Sequence, residues 1–176
     1  MIPKPEFSRA VRVDTIGAEP RAIEIAAEPE EREALARRFG LVAVDRLSAG
    51  AALSRNGQTI VAEGRMKAEV TQSCVATAAP LEAKLDEPFR IEFRPQPDPA
   101  AADEEIELSE SEMDVVFYDS ASIDLGEAVA ETLSLSLDPY PRAPGAEEIL
   151  KAAGVKGEEE AGPFAALAAL KDKLGK

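Results

Sequence analysis

The sequence predicts an α+β fold in which an antiparallel sheet of about five or six strands carries two main helices and is followed by a flexible C-terminal extension. Three observations lead there. Runs in which apolar and charged residues alternate, the sign of strands with one face in water, recur through residues 9–94. Two segments with helical spacing and helix-end residues interrupt or follow them. Beyond Pro141 the chain turns small, polar and glycine-bearing, as a tether does. The predicted organisation is a single domain over residues 1–141, an acidic linker over 142–162 and a short amphipathic helix over 163–176.

"RAVRVDTI" and "RAIEIAA" are short alternating runs that suit strands. "EPEEREALARRFG" suits a helix near 29–39, because Pro29 and the glutamates at 30, 31 and 33 favour its start while Arg37, Arg38 and Gly40 favour its end. The clearest strand is "TIVAEGRMKAEVTQSC", where Ile60, Ala62, Gly64, Met66, Ala68 and Val70 alternate with Glu63, Arg65, Lys67, Glu69 and Thr71. Asn56-Gly57 before it is a preferred hairpin pair and joins it to a strand around 42–54. Phe89, Ile91 and Phe93 alternate with Arg90, Glu92 and Arg94 as a third strand of an antiparallel meander, and "EMDVVFYD" supplies one short strand more. The second helix begins at Asp124 and Glu127, which have capping-box spacing, and carries Leu125, Val129 and Leu133 on one stripe. Asp138-Pro139 ends it, since proline lacks a backbone donor and disfavours helix in the residue before it.

At 176 residues the chain can bury roughly two-thirds of its unfolded surface. Six Phe, two Tyr and no Trp leave the core to Leu, Val and Ile. The formal net charge is −14, and it is unevenly placed. Residues 1–60 balance nine Lys/Arg with nine Asp/Glu, whereas residues 61–176 set eleven against twenty-five. From Pro95 to Pro141 there are thirteen Asp and Glu and no Lys or Arg. A surface of that sign repels phosphate backbones and attracts cations, most strongly at low salt. No apolar run nears the roughly 18 residues of a membrane span. The opening "MIPKPEFSRAVRV" lacks the apolar core of a signal peptide, so the expected compartment is the cytoplasm.

The absence of histidine excludes Ser-His-Asp and Cys-His catalysis and every His-containing metal site. Glycine-rich phosphate loops are absent as well. Cys74, the one cysteine, continues the apolar face of its strand and reads as a small buried residue rather than a reactive thiol. No cofactor, metal or catalytic residue is expected.

"VTQSCVATAAPLEAKLDEPFRIEF" and "IDLGEAVAETLSLSLDPYPRAPG" together resemble the YceD family of large ribosomal RNA subunit accumulation proteins. The resemblance covers about residues 40–145 and is most specific at Asp124, Leu125, Gly126, Glu131, Leu133, Leu135 and Leu137, with "DPYPRAPG" similar to the alphaproteobacterial variant. Many members carry Cys-x-x-Cys where this chain has Cys74-Val75-Ala76-Thr77, and some carry cysteines where it has Pro139, Tyr140, Pro141 and Arg142. One thiolate cannot supply a tetrahedral metal site, so no metal is carried over.

The resemblance implies a non-enzymatic factor supporting 23S ribosomal RNA accumulation and ribosome assembly. The acidity implies that it acts by binding a basic ribosomal protein or a pre-ribosomal particle, with Asp124, Glu127, Glu131, Asp138 and Arg142 as candidate partner-binding residues. Two other readings compete: direct RNA binding through the N-terminal arginines, and a carboxylate/metal-dependent hydrolase using a cluster such as Asp103, Glu104 and Glu105.

Overall fold

The computed structural model describes residues 5–97, 114–118 and 121–155. Their elements run β1 (Ala10–Arg12), a 3-10 turn (Val13–Thr15), β2 (Arg21–Ala26), α1 (Pro29–Phe39), β3 (Ala43–Asn56), β4 (Thr59–Ser73), β5 (Pro80–Pro95), β6 (Asp114–Tyr118), β7 (Ser122–Asp124), α2 (Leu125–Ser136) and α3 (Ala146–Ala152). By internal contacts the chain divides into two units, residues 1–72 with 82–139, and residues 73–81 with 140–176.

The first unit holds a five-stranded sheet in the order β2-β3-β4-β5-β6 and a separate β1–β7 ribbon. β2–β3 and β3–β4 are antiparallel, the latter turning at the Asn56-Gly57 hairpin with Gly57 in the left-handed region that such turns require. The ion pairs Glu63–Arg90, Arg65–Asp86 and Glu69–Lys84 run in opposite order along β4 and β5, so this pair is antiparallel too. The expectation of a purely antiparallel sheet is corrected at the next strand, because β6 lies parallel to β5, with Phe93 beside Val116. A parallel neighbour needs a crossover of a dozen or more residues, and the connection over residues 96–113 is long enough to supply one.

Two strand boundaries also differ from expectation. The run "RAVRVDTI" forms only three strand residues before a 3-10 turn. β5 begins at Pro80 rather than near Phe89, since Leu81, Ala83 and Leu85 alternate with Glu82, Lys84 and Asp86 in the same phase as Phe89, Ile91 and Phe93. The acidic run 98–113 and the expected helix over 163–176 lie outside the described residues. Within the stretch expected as linker, Ala146–Ala152 form α3.

One cluster of buried side chains joins the elements of the first unit. Leu35 of α1 and Leu125, Val129 and Leu133 of α2 pack with Leu47, Leu53, Ile60, Met66, Ile91 and Phe93 of the sheet, all but closed to solvent. Full burial of each such side chain is worth about 1.5–3 kcal/mol. β3 and β4 approach closely at Gly50 and Gly64. A Cβ on Gly64 would lie 2.0 Å from the Gly50 carbonyl oxygen, so only glycine fits.

α1 has complete ends. Its start carries a reciprocal capping box, in which the Glu28 amide donates to Glu31 Oε2 at 2.8 Å, and Pro29 takes the first turn. Arg37 and Arg38 occupy the last turn, and Gly40 closes it at φ 65°.

Candidate functional site

Of the residues the sequence singles out, Asp124, Glu127, Glu131 and Asp138 lie on α2 or its flanks, Arg142 lies in the second unit, and the first turn of α2 is built around the N-terminal segment. Asp124 caps the helix by accepting from the Glu127 amide at 3.1 Å. The same carboxylate also accepts from the Arg9 amide at 2.8 Å and from Ser8 Oγ at 2.5 Å. The Leu125 amide donates back to the Arg9 carbonyl at 3.1 Å, continuing the pairing of Ala10 with Asp124 in the β1–β7 ribbon. Gly126 lets the two backbones meet, because a Cβ there would lie 2.4 Å from the Phe7 carbonyl oxygen and 2.8 Å from the Arg9 nitrogen. Asp-Leu-Gly is thus a clasp: a carboxylate for three donors, a buried leucine, and a residue with no side chain under the crossing segment.

Glu127 faces away from that clasp toward α1. Arg38 donates to its two carboxylate oxygens at 2.9 and 2.6 Å and to Glu6 Oε2 at 2.9 Å, so the end of α1, the start of α2 and the N-terminal segment share one guanidinium. The two carboxylates raise the Arg38 pKa above its ordinary value, Glu127 contributing most. Arg9 serves a parallel role. It donates to both oxygens of Glu31 at 2.7 Å and to the Ala26 carbonyl at 2.8 Å, and its guanidinium stands 4.6 Å from the centre of the Phe7 ring.

One turn further along α2 the surroundings change. Glu131 is exposed, and its carboxyl is held above the ordinary carboxylate value by partial loss of water and then by the negative charge of Glu127, with Arg38 opposing the rise and Asp114 adding to it. Leu133 is wholly buried, yet Leu135 is 78% exposed, the most open of the large apolar side chains described. Asp138 is exposed, and its carbonyl accepts from Gln72 Nε2 at 2.9 Å, which ties the chain after the helix to β4. The last turn of α2 carries no basic residue, and the backbone at Leu137 is extended rather than left-handed.

Shallow depressions also mark the first unit, two of them beside charged side chains of α1 and the sheet. One, of about 390 Å³, runs between α1 and the start of β3 beside Arg32, Arg37 and Val42. The other, of about 440 Å³, lies over Gly64, where Arg65 pairs with Asp86 at 2.9 Å and Arg90 with Glu63 at 2.5 Å. Asp103, Glu104 and Glu105 fall outside the described residues.

The second unit contains Cys74 and Arg142. Cys74 is 3% exposed, and it sits in a turn after β4 where its amide donates to the Ala79 carbonyl and its carbonyl accepts from the Ala78 amide, with Ala78 at φ 59°. Its sulfur accepts from the Ala143 amide at 3.2 Å, and the Val75 amide donates to the Pro141 carbonyl at 2.9 Å, so the loops 74–79 and 141–143 are laced together. A hydrogen bond with the Thr77 side chain, then those from the amides of Ala143, Ala76 and Thr77, lower the thiol pKa to about 7. The sequence gives no sign of this, because the hydrogen bonds come from the Thr77 side chain and from backbone amides that only the folded loops bring to the sulfur. Arg142 is exposed beside this lacing.

The family model described as Large ribosomal RNA subunit accumulation protein YceD matches residues 62–171, which takes in β4 through α3. No curated protein and no solved structure matches the chain.

Proposed function

The chain belongs to the YceD family of large ribosomal RNA subunit accumulation proteins, and from that premise we propose that it supports large-subunit assembly without catalysis, by holding a basic ribosomal protein against an acidic surface. The observation that carries this reading is the charge of the segment around α2: thirteen Asp and Glu and no Lys or Arg from Pro95 to Pro141. A field of that sign speeds encounter with a lysine- and arginine-rich protein and disfavours the phosphate backbone. Glu131 and Asp138, both exposed, are the α2 carboxylates best placed to meet such a partner.

Direct RNA contact through the N-terminal arginines has less support. Arg9 and Arg38 already hold Glu31 and the pair Glu6 and Glu127, which leaves exposed Arg21, Arg37 and Arg46 as cations of that region open to phosphate. Moving Arg9 or Arg38 to phosphate would break an internal contact. No helix among the described residues is long and apolar enough to cross a membrane.

The test is binding of the purified chain to separated large-subunit proteins and to 23S ribosomal RNA, at two salt concentrations. The reading expects capture of basic proteins that weakens as salt rises. Retention of RNA alone would replace it with the RNA-binding reading.

A further inference from the structure

The two long helices end in opposite ways, and the difference points to a partner. α1 finishes with Arg37 and Arg38 in its last turn and Gly40 in the left-handed region, so cations and a backbone cap meet the negative end of its dipole. α2 finishes with no basic residue in its last turn. What it offers there instead is Leu135, 78% exposed, one helical step of four residues from the exposed Glu131. The neighbours of Leu135 show that this is not a general looseness of the helix end, since Leu133 is wholly buried and Leu137 packs on the core. Gln72 holds the backbone at Asp138, which fixes the surface beyond the last turn.

We propose that the C-terminal half of α2, Glu131 to Asp138, is the docking surface itself. It takes a lysine- and arginine-rich protein segment whose apolar side chain covers Leu135 and whose cations meet Glu131 and the negative end of the helix. The inference rests on the reading that the partner is a basic protein and adds where and how that protein is gripped. Charge complementarity selects this occupant. A second copy of the chain would bring another acidic surface, and RNA would bring phosphate, to a helix end that is already negative. The apolar anchor and the charges divide the labour: desolvation of Leu135 sustains the bound state, while Glu131 and the helix end steer encounter.

The experiment uses the full chain, with Leu135→Ser, Glu131→Lys and the wild type measured against individually purified basic proteins of the large subunit and against 23S ribosomal RNA, at low and moderate salt. Leu135→Ser is expected to weaken protein binding about tenfold or more at both salts, the effect of removing an interface anchor. Glu131→Lys is expected to weaken it mainly at low salt. Both variants should keep the wild-type melting temperature, because neither side chain is part of the core. If the wild type binds basic proteins and Leu135→Ser binds them equally well, the docking surface lies elsewhere and the basic-partner reading stands without it. If the wild type binds no basic protein, or only RNA, both fall together.

Discussion

Asp124 and Glu127 at the start of α2, and Glu131 and Asp138 toward its end, are carboxylates on one short helix and its flanks, yet they stand in unlike surroundings. The first two are enclosed by donors from the same chain: the amides of Arg9 and Glu127, the Ser8 hydroxyl and the Arg38 guanidinium. The other two are exposed, and for Glu131 the loss of water and the negative charge of Glu127 outweigh the attraction of Arg38. The difference teaches that a run of acidic residues cannot be read as a single surface. At one end of α2 the negative charge organises the fold, and at the other it is presented outward, beside an apolar side chain that the core does not use.

The most severe way to break the comparison is to fill the crossing point. Gly126→Ala puts a methyl group against the Phe7 carbonyl and the Arg9 nitrogen, which are backbone atoms without freedom to swing aside. A loss of about 2–3 kcal/mol is expected, in the range of overpacked cores, and urea unfolding measures it. Ser134→Ala, at an exposed position near the other end of the same helix, should change stability by no more than about 0.5 kcal/mol.

Asp124→Ala comes next. It removes the helix cap, worth about 0.5–2 kcal/mol, and leaves the Arg9 amide without its acceptor. A total near 2 kcal/mol is expected from these two losses. Asp124→Asn keeps an acceptor oxygen and should recover part of that loss, which separates capping from charge.

The smallest expected effect lies in the second unit and is a pH dependence. The Cys74 thiol is lowered to about 7 in the folded chain, against an ordinary value of about 8.5. A group whose pKa is depressed by folding adds stability that is full above the unfolded value and is lost as pH falls through the folded one. Unfolding midpoints should therefore rise modestly between about pH 7 and pH 9. Cys74→Ala should flatten that rise; an unchanged slope in the variant would assign it to another group.

Much of this architecture is legible in the sequence where local rules act. The start and end of α1 follow from Pro29, the glutamates and Gly40, and the β3–β4 hairpin follows from Asn56-Gly57 between alternating runs. The inward stripe of α2 follows from Leu125, Val129 and Leu133. What escapes the sequence is set by contacts far apart in the chain. The parallel placement of β6 beside β5 is a long-range pairing that no local propensity specifies. Capping-box spacing places Glu127 in the first turn of α2 but gives no hint that Arg38, 89 residues earlier in the chain, takes its carboxylate. Gly126 reads as a poor helix former until Phe7 is seen crossing it. The exposure of Leu135 follows from the helical period, which puts it on the face opposite Leu133, whereas Leu137 returns to the core because the backbone there is extended and no longer helical.

The central claim, that α2 uses its first carboxylates internally and presents its later ones, is tested most directly by urea unfolding of Glu127→Lys and Glu131→Lys side by side. The first places a lysine against Arg38, which loses its bidentate partner, and should cost about 1–2 kcal/mol. The second removes repulsion from Glu127 and Asp114 together with attraction to Arg38, at an exposed position, and should leave stability within about 0.5 kcal/mol of wild type. Equal losses for the two variants, or a larger loss for Glu131→Lys, would contradict the division of the helix into an inward and an outward half.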